Sequence, residues 1–178
     1  MSAALLLTGD PGCGKTTLIR RVVARVAGPT GGFYTEEIRA SGVRQGFAMI
    51  TFEGARGILA HRSIPGPPRV GAYGVDRAAL DAIGTASIRR ALDGVSLIVI
   101  DEIGPMEMTS PAFCQAVLDA LDGGAPILGT IVKRSRPFSD PIKARPDVEV
   151  ITVTRANRDL LLAPILDRLR AAGLTLTE

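Results

Sequence analysis

Four short runs of the chain are rich in Val, Ile and Leu: Ala4–Thr8, 96–101, 126–132 and 148–153. Val, Ile and Leu without alternation mark strands covered on both faces, as in a parallel sheet between helical layers. Between the first and second runs the texture changes. Segments 32–39, 45–52 and 56–60 are shorter, more alternating and divided by ASG and EGARG, the pattern of an antiparallel meander at a sheet edge. Helical spacing fills the gaps. Over 16–27, Leu18, Ile19, Val22, Val23 and Val26 share one stripe opposite Arg20, Arg21 and Arg25, and Gly28 ends the pattern. Asp76 caps a second helix running to Leu92, with Gly84 weakening its middle. Ser110 before Pro111 starts a third, continued by Phe113, Val117, Leu118 and Leu121. Thr154 opens a last helical region that Pro164 should kink or divide. Residues 61–74 read as a loop crossing back to the main layer. The expectation is an α/β fold: one domain over residues 1–178, a mostly parallel sheet flanked by helices, and a meander insertion at about 32–60.

Bulk properties narrow the function classes. The 178 residues are 46% hydrophobic and 22% charged, ordinary for a water-exposed globular chain. A net charge of +3, 4% aromatics and no Trp argue against a nucleic-acid surface or a base-stacking platform. Two cysteines, Cys13 and Cys114, make no disulfide framework and suit a reducing compartment. The opening MSAALLLTGD has no basic leader, and no apolar run reaches the roughly 18 residues of a membrane span. The expectation is a cytoplasmic monomer.

The strongest chemical signal follows the first strand. Gly9, Asp10, Pro11, Gly12, Cys13, Gly14, Lys15 and Thr16 match G-x-x-x-x-G-K-[ST], between an apolar strand and an amphipathic helix. Glycines let the backbone N–H groups curl around a β-phosphate, and the helix N-terminus adds positive potential. Lys15 reaches the β- and γ-phosphates as a point charge, and the Thr16 hydroxyl is a Mg²⁺ ligand. With Thr17 beside them, these are the first candidate nucleotide-binding residues. Cys13 sits at a helix N-terminus that favours a thiolate, yet a small residue that fits is the plainer reading.

The second signal is LIVIDEIG, residues Leu97, Ile98, Val99, Ile100, Asp101, Glu102, Ile103 and Gly104. Asp101 at a strand tip would hold the Mg²⁺ hydration shell, completing the metal site that Thr16 begins. Glu102, directly after it, would lie near the γ-phosphate and orient or deprotonate a water. Asp101 to Gly104 also fits the DxxG pattern of GTPases, but the only later counterpart of N-K-x-D is ANRD, which lacks the Lys. Guanine specificity is unsupported.

TGDPGCGKTTL, GGFYTEEIR with a following GF, VGAYGVD, VIDEIGPMEM, GTI and TRANRDLLL occur in this order. Together they resemble the THEP1 family of nucleoside-triphosphatases, called cancer-related nucleoside-triphosphatases in animals, from about Leu5 to Leu169. The resemblance implies a RecA-like P-loop fold and slow Mg²⁺-dependent hydrolysis of ATP, GTP, CTP and UTP with little base preference. It also implies that residues 9–16 and 97–104 are the two nucleotide-binding segments. Pro105 stands where the family often has Lys, which removes a cation there but leaves the Asp-Glu pair.

Other residues carry weaker signals. Thr35, Glu36 and Glu37 end a strand facing the ligand crevice, and the resemblance favours Glu36. Thr130 either senses the γ-phosphate or is a satisfied buried hydroxyl. Lys133, Arg134 and Arg136 follow in a basic loop that could supply transition-state charge, an effect of about 10³–10⁵ when an arginine finger is present. Asn157 and Arg158 open the last helical region, where Arg158 could stack on a base. Tyr73 reads as packing, and His61 has no assigned role. The competing functions are a small-molecule or nucleoside kinase on the same phosphate loop, and a nucleotide-driven switch. Glu102 after the metal-binding Asp speaks against the kinase.

Overall fold

The computed structural model describes residues 4–177. Its strands are β1 (Ala4–Thr8), β2 (Thr30–Ala40), β3 (Val43–Thr51), β4 (Arg56–His61), β5 (Arg69–Val70), β6 (Tyr73–Val75), β7 (Leu97–Ile103), β8 (Ile127–Ile131) and β9 (Val148–Thr152). They form one sheet in the order β5-β6-β4-β3-β2-β7-β8-β1-β9. The half from β2 to β9 is parallel, and the half from β5 to β2 is antiparallel. This mixed sheet with flanking helices is a P-loop NTPase fold of the RecA-like type, with β8 lying between the strands that carry the two chemical motifs.

Consecutive apolar residues are required because both faces are covered. In β1, Leu5 and Leu7 pack with Leu18, Ile19 and Val22 of helix α1 (Lys15–Val23) and with Ile165 and Leu169 of helix α6 (Leu162–Ala171). Leu6 faces the opposite layer, among Ile98, Ile100, Phe113 and Val117, the last two from helix α4 (Pro111–Asp122). Such side chains contribute about 1.5–3 kcal/mol each when fully buried, so the two layers rather than local propensity hold the strands. Ser110 caps α4 by accepting the Phe113 N–H at 3.1 Å, with Pro111 at the first turn.

Several boundaries differ from expectation for visible reasons. Helix α1 stops at Val23 rather than reaching 27, because the Ala27 N–H bonds the Thr175 carbonyl (2.9 Å) and Val26 bridges to Leu176. Segment 32–39 is not wholly meander. Thr30 to Phe33 of β2 pair in parallel with β7, and from Phe33 onward the strand forms the antiparallel hairpin with β3. The stretch 61–74 contains the short β5–β6 hairpin that forms the sheet edge. Asp76 caps α2 (Arg77–Ala79) through the Ala79 N–H at 2.8 Å. Gly84, flagged as the weak point, lies in a π-helical segment (Leu80–Thr85) that leads into α3 (Ala86–Ala91). Pro164 falls in the first turn of α6, where no helical N–H bond is lost, so the helix begins late rather than kinking. A short helix α5 (Ser139–Lys143) precedes β9. Among the described residues no helix is long and apolar enough to cross a membrane.

Candidate active site

The C-terminal ends of β1, β7 and β8 and the middle of β2 open onto a cleft of about 760 Å³. Its floor is Gly9, Asp10, Pro11, Gly12 and Gly14 through Thr17; Asp101 and Glu102 stand on one wall. Cys13, from the same loop, is buried beneath it as a free thiol. Within 97–104, Leu97 to Ile100 are core residues of β7, and only Asp101 and Glu102 of that segment line the cleft. Of the segment expected to contact nucleotide, only these two carboxylates reach the cleft, because the preceding residues alternate into the two packed layers.

The phosphate loop takes its shape from glycines with positive φ: Gly9 (152°), Gly12 (76°) and Gly14 (104°). The Lys15 ammonium folds over this loop, donating to the Gly9 and Asp10 carbonyls at 3.0 and 3.1 Å. Its charge thus sits at the loop mouth.

Asp101 joins the two motifs. Its Oδ2 accepts from the Thr16 hydroxyl at 2.6 Å and its Oδ1 from the Thr130 hydroxyl at 2.7 Å. Asp101 is 2% exposed. Burial raises its carboxyl above the ordinary value, while both threonines and the Lys15 charge oppose that rise. Thr130 is therefore the satisfied buried hydroxyl of the two readings, and it holds Asp101 rather than facing a phosphate. The strand does not end at Asp101, as expected, but continues to Ile103 with an irregularity in the β7–β8 ladder between Ile100 and Ile103. The Asp101–Glu102 peptide bond is cis.

Glu102 is half-buried at the cleft wall. Its carboxyl lies against Gly104: a Cβ built at that glycine would meet Glu102 Oε1 at 2.2 Å. Burial first, and the Asp101 charge second, raise its carboxyl above the ordinary range; Lys15 pulls the other way. A third carboxyl, Glu107, is 4% exposed in the short 3₁₀ turn after the motif. Burial and then Glu102 push it well above the ordinary range. Glu107 went unassigned in the sequence, where nothing separates an acid six positions after Asp101 from a solvated one.

The remaining candidates divide. Thr35 and Glu37 of β2 line the cleft, whereas Glu36 points to the other face, near Arg20 (3.6 Å) and Arg56 (3.5 Å). Period-two alternation puts the favoured acid on the wrong side. Glu37 is held by Arg44 and by Arg39 (2.8 Å). Burial pushes Glu37 up, but the two guanidiniums outweigh it and hold its carboxyl below the ordinary value. Arg44 and Phe47, from β3, line the same cleft as the phosphate loop, a placement that nothing in the sequence shows. Lys133 and Arg134 reach the cleft, Lys133 through a 3.0 Å ion pair with Asp10, while Arg136 lies outside it with Pro105 and Phe138. Arg158 lines the cleft; Asn157 instead ties its own loop together. Tyr73 packs against Phe47 at 5.4 Å between ring centroids.

The residues suit a hard divalent cation of the Mg²⁺ kind. The Thr16 hydrogen is committed to Asp101, which leaves the hydroxyl lone pairs free to ligate and the carboxylate to hold a hydration shell. Among the described residues no group of three or more His, Cys, Asp or Glu forms a cage, so any such ion would depend on substrate phosphates for ligands.

Comparison with known proteins gives the family. The sequence model of a family described as NTPase matches residues 4–166. The chain is 45% identical to a nucleoside-triphosphatase THEP1 of Thermotoga sp. (strain RQ2), over 93% of this chain and 95% of that one. It belongs to the THEP1 nucleoside-triphosphatase family. It is 42% identical to the human cancer-related nucleoside-triphosphatase, over 93% and 96%. The crystal structure of THEP1 from Aquifex aeolicus superposes with a TM-score of 0.86 at 34% identity, covering 93% of this chain and 98% of that chain. The solution structure of the human protein gives 0.78 at 38% identity, covering 94% and 97%. The family match, residues 4–166, spans both motifs that meet at Asp101.

Proposed function

We propose that the chain hydrolyses nucleoside 5′-triphosphates, ATP, GTP, CTP and UTP alike, to the diphosphate and inorganic phosphate, with Mg²⁺ as cofactor. The observation that carries this reading is the Thr16–Asp101–Thr130 chain of hydrogen bonds with Glu102 next to it on the cleft wall. The loop glycines and Thr17 support nucleotide binding through main-chain N–H groups, and the relatives are named for nucleoside triphosphates as a class. Thr16 and Asp101 would hold the Mg²⁺ ion, which supplies charge neutralisation between the β- and γ-phosphates when bound. Lys15 adds a fixed positive charge to the same bridge. Glu102 orients a water and accepts its proton as the water oxygen bonds to the γ-phosphorus and the bond to the bridging oxygen breaks. The diphosphate leaves with the electron pair of that bond. Action as a free cytoplasmic monomer is part of the same proposal.

Phosphate release measured from each of the four nucleotides, with and without Mg²⁺, tests the reading. Mg²⁺-dependent release from all four is expected. Release only when an alcohol or nucleoside acceptor is added would replace hydrolysis with a kinase activity.

A further inference from the structure

The direction in which a triphosphate must lie follows from the strand order. On one side of β1 stand β8 and β7, whose Asp101 and Glu102 mark the γ-phosphate end of the cleft; on the other stands β9. A nucleoside bound to the loop therefore leaves toward β9, where the chain after that strand brings Arg158 into the cleft wall. The Arg158 side chain lies directly on Gly14: a Cβ at Gly14 would come within 3.0 Å of its Cδ and 3.3 Å of Nη1. The segment bearing it is stitched in place. Asn157 Oδ1 accepts the Thr154 N–H at 2.8 Å, Asn157 Nδ2 donates to the Thr152 carbonyl at 3.0 Å, and the Arg158 N–H donates to the Thr154 carbonyl at 3.0 Å. The guanidinium itself is only loosely engaged. Its acidic neighbour, Asp159, stands 3.7 Å from Nε and is drawn toward Arg21 at 3.2 Å.

We infer that Arg158 is the nucleobase platform of this site: its guanidinium plane, supported by Gly14, stacks on the base of the bound nucleotide. This rests on the hydrolytic reading for the ligand's orientation and adds to it the group that holds the base. A planar cation attracts the π face of any base and reads no edge pattern. Low base selectivity is then a property of the platform, and the absence of a guanine-reading motif is its counterpart in sequence.

The test is equilibrium binding of ATP, GTP, CTP, UTP and inorganic tripolyphosphate, each with Mg²⁺, to wild type, Arg158→Ala and Arg158→Lys. Stacking predicts that Arg158→Ala weakens all four nucleotides by about three- to thirtyfold and leaves tripolyphosphate within twofold. Arg158→Lys, which keeps the charge without the plane, should recover only part of the loss. Unchanged tripolyphosphate binding also shows that the variant is folded. Equal weakening of all five ligands would make Arg158 a phosphate contact and overturn the inference. So would the loss of one nucleotide alone, full recovery by Lys, or no change. A wild type that binds none of the five would overturn the nucleotide-binding reading together with it.

Discussion

Glu102 rests on a residue that has no side chain, and that makes its position testable without touching the carboxylate. In Gly104→Ala the new Cβ would lie 2.2 Å from Glu102 Oε1 and 2.8 Å from its Cδ and Cγ. Gly104 is not among the positive-φ glycines, so alanine brings no backbone strain of its own. The relief must come from the Glu102 side chain. Moving Oε1 from 2.2 Å out to an ordinary contact of 3.4 Å shifts it by about 1.2 Å. A displacement of about 1 Å at a reacting group can cost about 10²-fold in rate, or roughly 2.7 kcal/mol of barrier. Steady-state phosphate release should therefore fall about 10²-fold in kcat. Mg²⁺–nucleotide affinity and the thermal midpoint should change little, because neither the phosphate loop nor the packed layers are disturbed. A Gly104→Ala enzyme whose kcat stays within threefold of wild type would show that the seat of Glu102 is irrelevant to turnover.

Two further outcomes follow from the buried polar groups. Thr130→Val removes the donor to Asp101 Oδ1 with almost no change of shape, leaving a buried acceptor short of a partner; thermal or denaturant unfolding should show a loss of about 1–3 kcal/mol, with a higher Mg²⁺ requirement for turnover. Glu107 keeps its proton in the folded chain above the 4.5 at which the unfolded chain releases it. The folded state then binds more protons, and this group's contribution to stability falls as pH rises from that value. Unfolding free energies of Glu107→Gln and wild type, measured from pH 4.5 to 8, should diverge in favour of the variant; a constant difference would contradict the raised carboxyl.

Much of the fold was legible because burial on both faces leaves a direct mark. Ala4 to Leu7 are apolar at every position, and the strand runs over Ala4–Thr8 as the pattern predicts. The caps Asp76 and Ser110 were readable because a side-chain acceptor before an apolar face has one geometric use. Contacts distant in sequence were not readable. The bridge of Val26 to Leu176 cut α1 short, and no local pattern announces it. The phosphate loop and the Asp-Glu pair were legible as motifs, since few residue types can perform their chemistry. Their joint was not: the Thr16–Asp101 hydrogen bond spans 85 residues. Sequence does not separate Glu37 from Glu36, because the register of β2 against the cleft is a tertiary fact that spacing alone does not set. Arg44 and Phe47 arrive from the hairpin for the same reason.

The assignment of the attacking water to Glu102 is tested most directly by one variant. Glu102→Gln keeps the side chain's shape and removes its basicity. Single-turnover phosphate release from Mg²⁺–ATP, measured beside equilibrium binding of the same nucleotide, should show binding within a few-fold of wild type and cleavage slowed by about 10²–10⁴-fold. Cleavage at the wild-type rate with intact binding would mean that Glu102 does not activate the water.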